Sequence, residues 1–179
     1  MDKIVVIVNG CGGVGKDTFC NLVDKYINCI TISSVHPIKE IARLAGWDGE
    51  KDDKSRKFLS DLKDACTEYR DLSMEYLKNA YHWFMSDELW YKGSHILFMH
   101  IREPKEIERA VKEFNAKTIL VINENANKVS GNHADENVYD YQYDLIIDNN
   151  GSLDDLDLCA KHFADLVKND WEELYNKYN

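Results

Sequence analysis

NGCGGVGKDTF, residues 9–19, stands between an apolar run, IVVIV, and a sequence with the spacing of an amphipathic helix. The apolar run predicts a short buried strand from Lys3 to Val8, and the sequence after the glycines predicts a helix from Lys16 to Tyr26. Glycine adopts φ angles that other residues avoid, so a glycine-rich turn lets successive backbone N–H groups point inward. The stretch therefore predicts a strand, a tight anion-binding turn and a helix in direct succession.

The turn carries the pattern G-x-x-x-x-G-K in the strand-to-helix setting that a phosphate-binding loop requires. Its N–H groups, together with those at the start of the following helix, would bind the β-phosphate of ATP. The ammonium of Lys16 would reach the β- and γ-phosphate oxygens, which makes Lys16 a predicted catalytic residue as well. We expect ATP to contact Gly10, Cys11, Gly12, Gly13, Val14, Gly15, Lys16, Asp17 and Thr18.

Two other interpretations fit part of the same stretch. A glycine-rich turn can simply let a helix pack on a strand, but the lysine and the flanking elements favour the phosphate-binding loop. The residues from Gly10 to Gly15 also satisfy G-x-G-x-x-G, the pattern of dinucleotide-binding proteins, which requires an acidic residue about 20 positions further on. The second predicted strand is followed by Ser33 and Ser34 instead. We therefore rank a dinucleotide such as NAD well below a nucleoside triphosphate.

Asp17 stands where a phosphate-binding loop normally has a Ser or Thr whose hydroxyl contacts Mg²⁺. A carboxylate at this position can bind Mg²⁺ directly or through a water molecule, so Asp17 is the predicted metal ligand. An Asp in the first turn also stabilises the helix through the helix dipole, and this interpretation is compatible with the first. Thr18 supplies a hydroxyl one residue later, on the side of the α-phosphate.

Short apolar runs alternate with longer amphipathic segments along the chain, which is typical of a parallel sheet covered by helices. We predict a single domain, residues 1–179, with an α/β three-layer sandwich around a five-stranded parallel sheet. An acceptor-binding helical insertion at about 35–86 interrupts the alternation, as does a polar stretch at about 123–143 that fits either a mobile flap or a surface loop. The remaining strands are predicted at Cys29–Ile32, His95–His100, Thr118–Ile122 and Asp144–Ile147, and the remaining helices at Pro37–Leu44, Ser55–Tyr69, Met74–Trp83, Lys105–Phe114 and Leu153 to about Lys177.

The bulk composition limits the partners that the protein can have. The 179 residues carry a net charge of −10, which does not suit a surface that follows a nucleic-acid backbone. No apolar run approaches the roughly 20 residues that cross a bilayer, and the N-terminus lacks a signal-peptide pattern. We therefore expect a cytoplasmic protein with no nucleic-acid or membrane partner. The five cysteines form no C-x-x-C pair, which favours reduced thiols over a disulfide framework or a zinc site.

The combination G-K-D-T resembles the bacteriophage-type deoxynucleoside monophosphate kinases, a branch of the P-loop kinases. The similarity continues along nearly the whole chain in the correct order, although each further motif is short. The further matches are SVHPIKE at 34–40 to the family's A-D-P-L-K-E, SRKFL at 55–59 to its arginine-led helix, HIREPKE at 100–106 to D-V-R-x-P-x-E, NHADE at 132–136 to N-H-x-S-E, and DNNGSLDDL at 148–156 to N-x-G-T-L-E-E-L.

The resemblance implies a P-loop NTPase fold of the nucleoside monophosphate kinase-like kind. It also implies transfer of the γ-phosphoryl group of ATP, with Mg²⁺, to a deoxynucleoside monophosphate. The acceptor phosphate would be bound by Lys39, Arg56 and Arg102, and Arg102, at the end of a strand, would also be catalytic. The flap would contribute Lys128 and His133. The partners would be small-molecule nucleotides, and a homodimer is left open.

The chain departs from the family pattern at two carboxylates and in the flap. His100 and His36 stand where the family has aspartates, and the flap has no arginine. These departures keep two alternatives open. One is a kinase of another phosphorylated metabolite, such as phosphomevalonate or dephospho-coenzyme A. The other is a nucleotide-binding switch that binds ATP without turnover.

Overall fold

The computed structural model of the protein describes residues 2–50, 52–88, 91–126 and 137–169. Its five strands are parallel and form one sheet in the order β2-β3-β1-β4-β5, with β1 at the centre. The strands are β1 Ile4–Asn9, β2 Cys29–Ser33, β3 Ile96–His100, β4 Lys117–Ile122 and β5 Leu145–Asp148. The helices are α1 Lys16–Asp24, α2 His36–Leu44, α3 Asp53–Arg70, α4 Leu72–Met85, α5 Pro104–Phe114 and α6 Leu153–Lys168, and Val138–Asp140 form a 3₁₀ turn.

Helices cover both faces of the sheet, because successive side chains of each strand point to opposite faces. Val6 and Val8 of β1 belong to one buried cluster with residues of α1 and α6, where Phe19 and Phe163 meet edge to face with ring centroids 5.5 Å apart. Val5 belongs to a second buried cluster that includes residues of α4 and α5. The predicted three-layer α/β sandwich with a five-stranded parallel sheet is confirmed.

The helix starts follow from local sequence. α1 begins directly after Gly15, whose φ of 95° only glycine adopts without strain. Pro104 is the first residue of α5, where its missing N–H is not needed. α6 begins with a capping box, in which the Ser152 and Asp155 side chains each accept a hydrogen bond from the other's backbone N–H. These local features determine the residues at which the three helices begin.

The predicted insertion contains α2, α3 and α4, which lie between β2 and β3 in the chain. The 3₁₀ turn lies within the predicted flap, and its Val138 side chain is fully buried. None of the described helices is both long enough and apolar enough to cross a bilayer.

Candidate active site

The glycine-rich loop joins the central strand β1 to α1 at the carboxyl edge of the sheet. Gly10 has a φ of 144°, and a Cβ built on it would lie 2.4 Å from the carbonyl oxygen of Val121 on β4. Gly13 has a φ of 80°, and a Cβ there would meet no atom within 4 Å. The loop is thus packed tightly against the sheet at its start and is open at Gly13. The open side is where a phosphate group could approach the backbone.

Lys16 bends back over the loop rather than extending into solvent. Its Nζ donates hydrogen bonds to the carbonyl oxygens of Gly10, at 2.6 Å, and Cys11, at 2.7 Å. The ammonium therefore lies at the loop, next to the N-terminus of α1, where the helix dipole also favours an anion. This arrangement fits the phosphates of a nucleotide.

Asn149 is hydrogen-bonded to the second half of the loop through its side chain. Its Nδ2 donates a 2.9 Å hydrogen bond to the Val14 carbonyl, and its backbone N–H donates to the Ile122 carbonyl, also at 2.9 Å. A Cβ on Gly15 would lie 2.5 Å from the same Nδ2. Asn149 follows β5, so the last strand of the sheet supports the glycine-rich loop through one side chain.

Asn9, the last residue of β1, holds the first half of the loop. Its side chain is fully buried and its Oδ1 accepts a 2.8 Å hydrogen bond from the Gly10 N–H. Its Nδ2 donates to the Arg102 carbonyl at 3.0 Å and to the Tyr143 hydroxyl at 2.7 Å. The Tyr143 hydroxyl in turn donates to the Val138 carbonyl at 2.8 Å. One amide thus contacts three segments of chain at the carboxyl edge.

His100, the last residue of β3, lies between two residues of α1. Its Nδ1 is 3.4 Å from Asp17 Oδ1, and its Nε2 is 3.7 Å from the Cys20 Sγ. Burial raises the pKa of the Cys20 thiol to about 12, so that thiol keeps its proton and can donate it to Nε2. The remaining proton of a neutral His100 ring then lies on Nδ1, facing Asp17.

The pKa of His100 shows which charges surround it. Burial lowers this pKa from 6.5 to about 4, and the Asp17 carboxylate acts in the opposite direction. The positive charges of Lys16, Arg102 and Lys39 lower it further. The neutral imidazole therefore lies among three cations and one carboxylate, all at the carboxyl edge of the sheet. In a chain with a net charge of −10, this is a local group of donors suited to anions.

The structure brings together most, but not all, of the cations singled out in the sequence. Lys39 is in the first half of α2, and Arg102 is the second residue after β3. Arg56 lies in the first turn of α3, and among the described residues its side chain makes no hydrogen bond or ion pair. It therefore has no contact that links it to Lys39 or Arg102. Lys128 and His133, the predicted flap residues, lie outside the described residues.

The predicted metal ligand, Asp17, lies in the first turn of α1 with its side chain 86% exposed. Within the described ranges, no group of three or more His, Cys, Asp or Glu side chains could hold a metal ion. Mg²⁺ in phosphoryl-transfer proteins is commonly bound by one or two carboxylates together with substrate phosphates and water. An exposed carboxylate beside the loop fits that mode of binding.

Sequence reasoning assigned no role to Asn9, Tyr143 or Asn149. One signal was available for Asn9, because a polar residue that directly continues a buried apolar strand must find hydrogen-bond partners inside the protein. Asn149 was part of a family motif but carried no predicted contact. The partners of both are distant in sequence, and only the folded chain shows them.

Acid should weaken the fold through His100. We expect the free energy of unfolding to fall as the pH falls from 6.5 toward 4, because in that window the unfolded chain binds a proton that the buried ring does not. The loss should reach roughly 3 kcal/mol at pH 4 and should level off about one pH unit below that. Urea unfolding at a series of pH values measures it.

The control for this pH dependence is His100→Gln, which keeps a polar side chain that does not titrate. The difference in unfolding free energy between wild type and variant should narrow between pH 6.5 and 4. Parallel curves for the two proteins would show that His100 does not titrate differently in the folded and unfolded chains.

The strand order and the elements give the chain an α/β fold, in which a five-stranded parallel sheet is covered by helices and a glycine-rich loop joins β1 to α1. Two solved structures are similar to it. A sugar kinase from Janibacter sp. HTCC2649 is 13% identical, with a TM-score of 0.45 over 92% of this chain and 95% of the other. The APS kinase of Mycobacterium tuberculosis is 13% identical, with a TM-score of 0.41 over 93% and 98%. No protein-family model matches the sequence, and no curated protein matches it significantly.

Proposed function

We propose that the protein is a kinase that transfers the γ-phosphoryl group of ATP to a deoxynucleoside monophosphate. The observation that carries the proposal is the electrostatic surrounding of His100. The charges of Lys16, Lys39, Arg102 and Asp17 all act on this one ring, at the carboxyl edge of the sheet, beside a glycine-rich loop. Phosphoryl transfer needs two phosphorylated substrates aligned among cations, and this group of charges meets that need.

The donor side of the site consists of the loop and the start of α1. The backbone N–H groups of the loop after Gly10 would bind the phosphates of ATP, and the Lys16 ammonium would exchange its carbonyl partners for phosphate oxygens. Asp17 would hold Mg²⁺ with Thr18 beside it. Bound Mg²⁺ neutralises charge that develops on the transferred phosphoryl group.

The acceptor side consists of Lys39 and Arg102, with Arg56 as a further candidate from α3. A guanidinium can bind a phosphate with two parallel hydrogen bonds. Arg102 lies at the carboxyl edge of the sheet, where open α/β sheets bind ligands. The helix start at α2 adds a partial positive charge near Lys39. A small phosphorylated acceptor suits this group better than nucleic acid, because the chain carries a net charge of −10.

A coupled assay for ADP tests the proposal directly. With MgATP as donor, we expect acceptor-dependent ADP formation with at least one deoxynucleoside monophosphate, because the acceptor cations require a phosphate. The panel should contain the deoxy- and ribonucleoside monophosphates and the matching nucleosides without phosphate. Lys16→Ala is the background control. No acceptor-dependent ADP above that background, with any monophosphate, would contradict the proposal.

Two other outcomes of the assay would support the alternatives. Turnover with phosphomevalonate or dephospho-coenzyme A, but with no nucleotide, would support a kinase of another phosphorylated metabolite. The replacement of a carboxylate by neutral His100 is the feature that favours a changed acceptor. Tight MgATP binding with no turnover on any acceptor would support a nucleotide-binding switch. A thermal-shift panel of the same compounds separates binding from turnover.

A further inference from the structure

We infer that Asn9 is a positioning residue that aligns the phosphate-binding loop with Arg102. The inference rests on the proposed function, because alignment matters only if both segments bind reacting phosphates. The pairing of β1 with β3 ends at Val8 and His100, and Asn9 pairs only with Leu120 of β4. On the β3 side, the backbone ladder therefore stops just before the loop and Arg102.

The Asn9 side chain continues the connection where the backbone ladder stops. Its Nδ2 donates to the Arg102 carbonyl at 3.0 Å, and its Oδ1 accepts from the Gly10 N–H at 2.8 Å. Gly10, the first residue of the phosphate-binding loop, and Arg102, the second residue after β3, are thus joined through one planar amide. Because the amide is rigid and fully buried, a shift of one segment must move the other.

Tyr143 fixes the orientation of that amide. Its hydroxyl accepts the second Nδ2 hydrogen bond at 2.7 Å and donates to the Val138 carbonyl at 2.8 Å. The Val138 side chain is fully buried, so this anchor is part of the core. A flipped amide would present its oxygen to the Arg102 carbonyl and its N–H₂ group to the Gly10 N–H, and both contacts would be lost. The network therefore permits one orientation of Asn9.

Alignment of this kind has a specific kinetic consequence. Misplacement of reacting groups by about 1 Å can cost about 100-fold in rate, while each substrate still binds to its own half of the site. Loss of the Asn9 link should therefore lower kcat much more than it weakens MgATP binding. A residue that only stabilises the fold would instead lower the melting temperature and leave kcat per folded molecule unchanged.

The test compares Asn9→Leu with Tyr143→Phe. Leu has nearly the shape of Asn and carries no polar atom, so it removes the link between Gly10 and Arg102. Phe removes only the hydroxyl that orients the amide and leaves both of those contacts in place. For Asn9→Leu we expect kcat to fall about 100-fold, with the Kd for MgATP within about threefold of wild type. For Tyr143→Phe we expect a similar loss of melting temperature and a much smaller fall in kcat than for Asn9→Leu, because the contacts of the amide with Gly10 and Arg102 remain.

Several outcomes overturn the inference. A kcat for Asn9→Leu within about threefold of wild type would do so, as would equal kcat losses in the two variants. If Asn9→Leu does not fold, Asn9→Ala takes its place, because Ala is neutral and smaller than Asn and also removes both contacts of the amide. The same expected values apply to it.

Failure of the proposed function is a separate result. A wild type that binds MgATP and phosphorylates no acceptor contradicts the kinase proposal, whatever Asn9 does. In that case, NMR spectra of the backbone amide groups of the ligand-free protein test whether Asn9 links Gly10 to Arg102. Asn9→Leu should shift the amide resonances of Gly10 and Glu103 together, since the Glu103 N–H belongs to the same peptide group as the Arg102 carbonyl. An unchanged Glu103 resonance would overturn the inference.

Discussion

We expect Lys16→Ala to lower the kcat of the proposed phosphoryl transfer by about 10³-fold. The Nζ of Lys16 is the cation that lies directly on the loop, 2.6 and 2.7 Å from the carbonyl oxygens of Gly10 and Cys11. Removing a charged group that stabilises the transition state typically costs 10²- to 10³-fold, and cations on a transferred phosphoryl group reach the upper part of that range and beyond. A coupled ADP assay at saturating MgATP and acceptor measures the loss.

Lys25→Ala is the matched control for this variant. Lys25 follows the last residue of the same helix and forms an exposed ion pair with Asp157 at 3.1 Å. Its removal changes the net charge by the same amount and costs at most about 1 kcal/mol of stability, so activity should stay within about twofold. If Lys16→Ala kept more than a tenth of wild-type activity, the loop would not be the donor site.

Gly10→Ala should lower the free energy of unfolding by about 4 kcal/mol. A φ of 144° is strained for any residue with a Cβ, and that Cβ would lie 2.4 Å from the Val121 carbonyl oxygen and 2.9 Å from a methyl group of Val14. Backbone strain of this kind costs about 1 to 3 kcal/mol, and overpacking costs a similar amount. For a domain of this size, the melting temperature should fall by about 10 °C, measured without nucleotide.

Gly13→Ala separates the two causes of that loss. Gly13 lies in the same loop and also has a positive φ, 80°, but a Cβ there would meet no atom within 4 Å. It should cost only the backbone strain, about 1 to 2 kcal/mol. Equal losses in the two variants would show that contact with β4 does not restrict the start of the loop.

The sheet and the loop were predictable because their signals are local. The run IVVIV, the glycines and Lys16 are contiguous, and each predicts its own conformation without reference to the rest of the chain. The same holds for Pro104, which is the first residue of α5, one residue before the predicted start at Lys105. The other strand and helix boundaries differ from the predicted ones by only one or two residues, as expected when helix ends depend on caps, and the predicted end of the last helix, about Lys177, lies outside the described residues.

The supports of the site were not predictable because they join residues that are far apart in the chain. The hydrogen bonds from Asn9 to Arg102 and to Tyr143 span 93 and 134 residues. No periodicity or motif indicates such a pairing, since it depends on the strand order and on the depth at which each loop leaves the sheet. The surroundings of His100 were hidden for the same reason, because Asp17, Lys39 and Arg102 come from three different elements.

The contact between Asn149 and the Val14 carbonyl also determines the order in which the site can assemble as the chain folds. This hydrogen bond spans 135 residues, and Asn149 reaches its position only after β5 has paired with β4. A nascent chain grows by about 5 to 20 residues per second, so the glycine loop exists for several seconds before its support does. Long-range contacts of this kind form late, after the local helices and turns. The glycine-rich loop is therefore among the first segments to be synthesised and among the last to reach its final conformation.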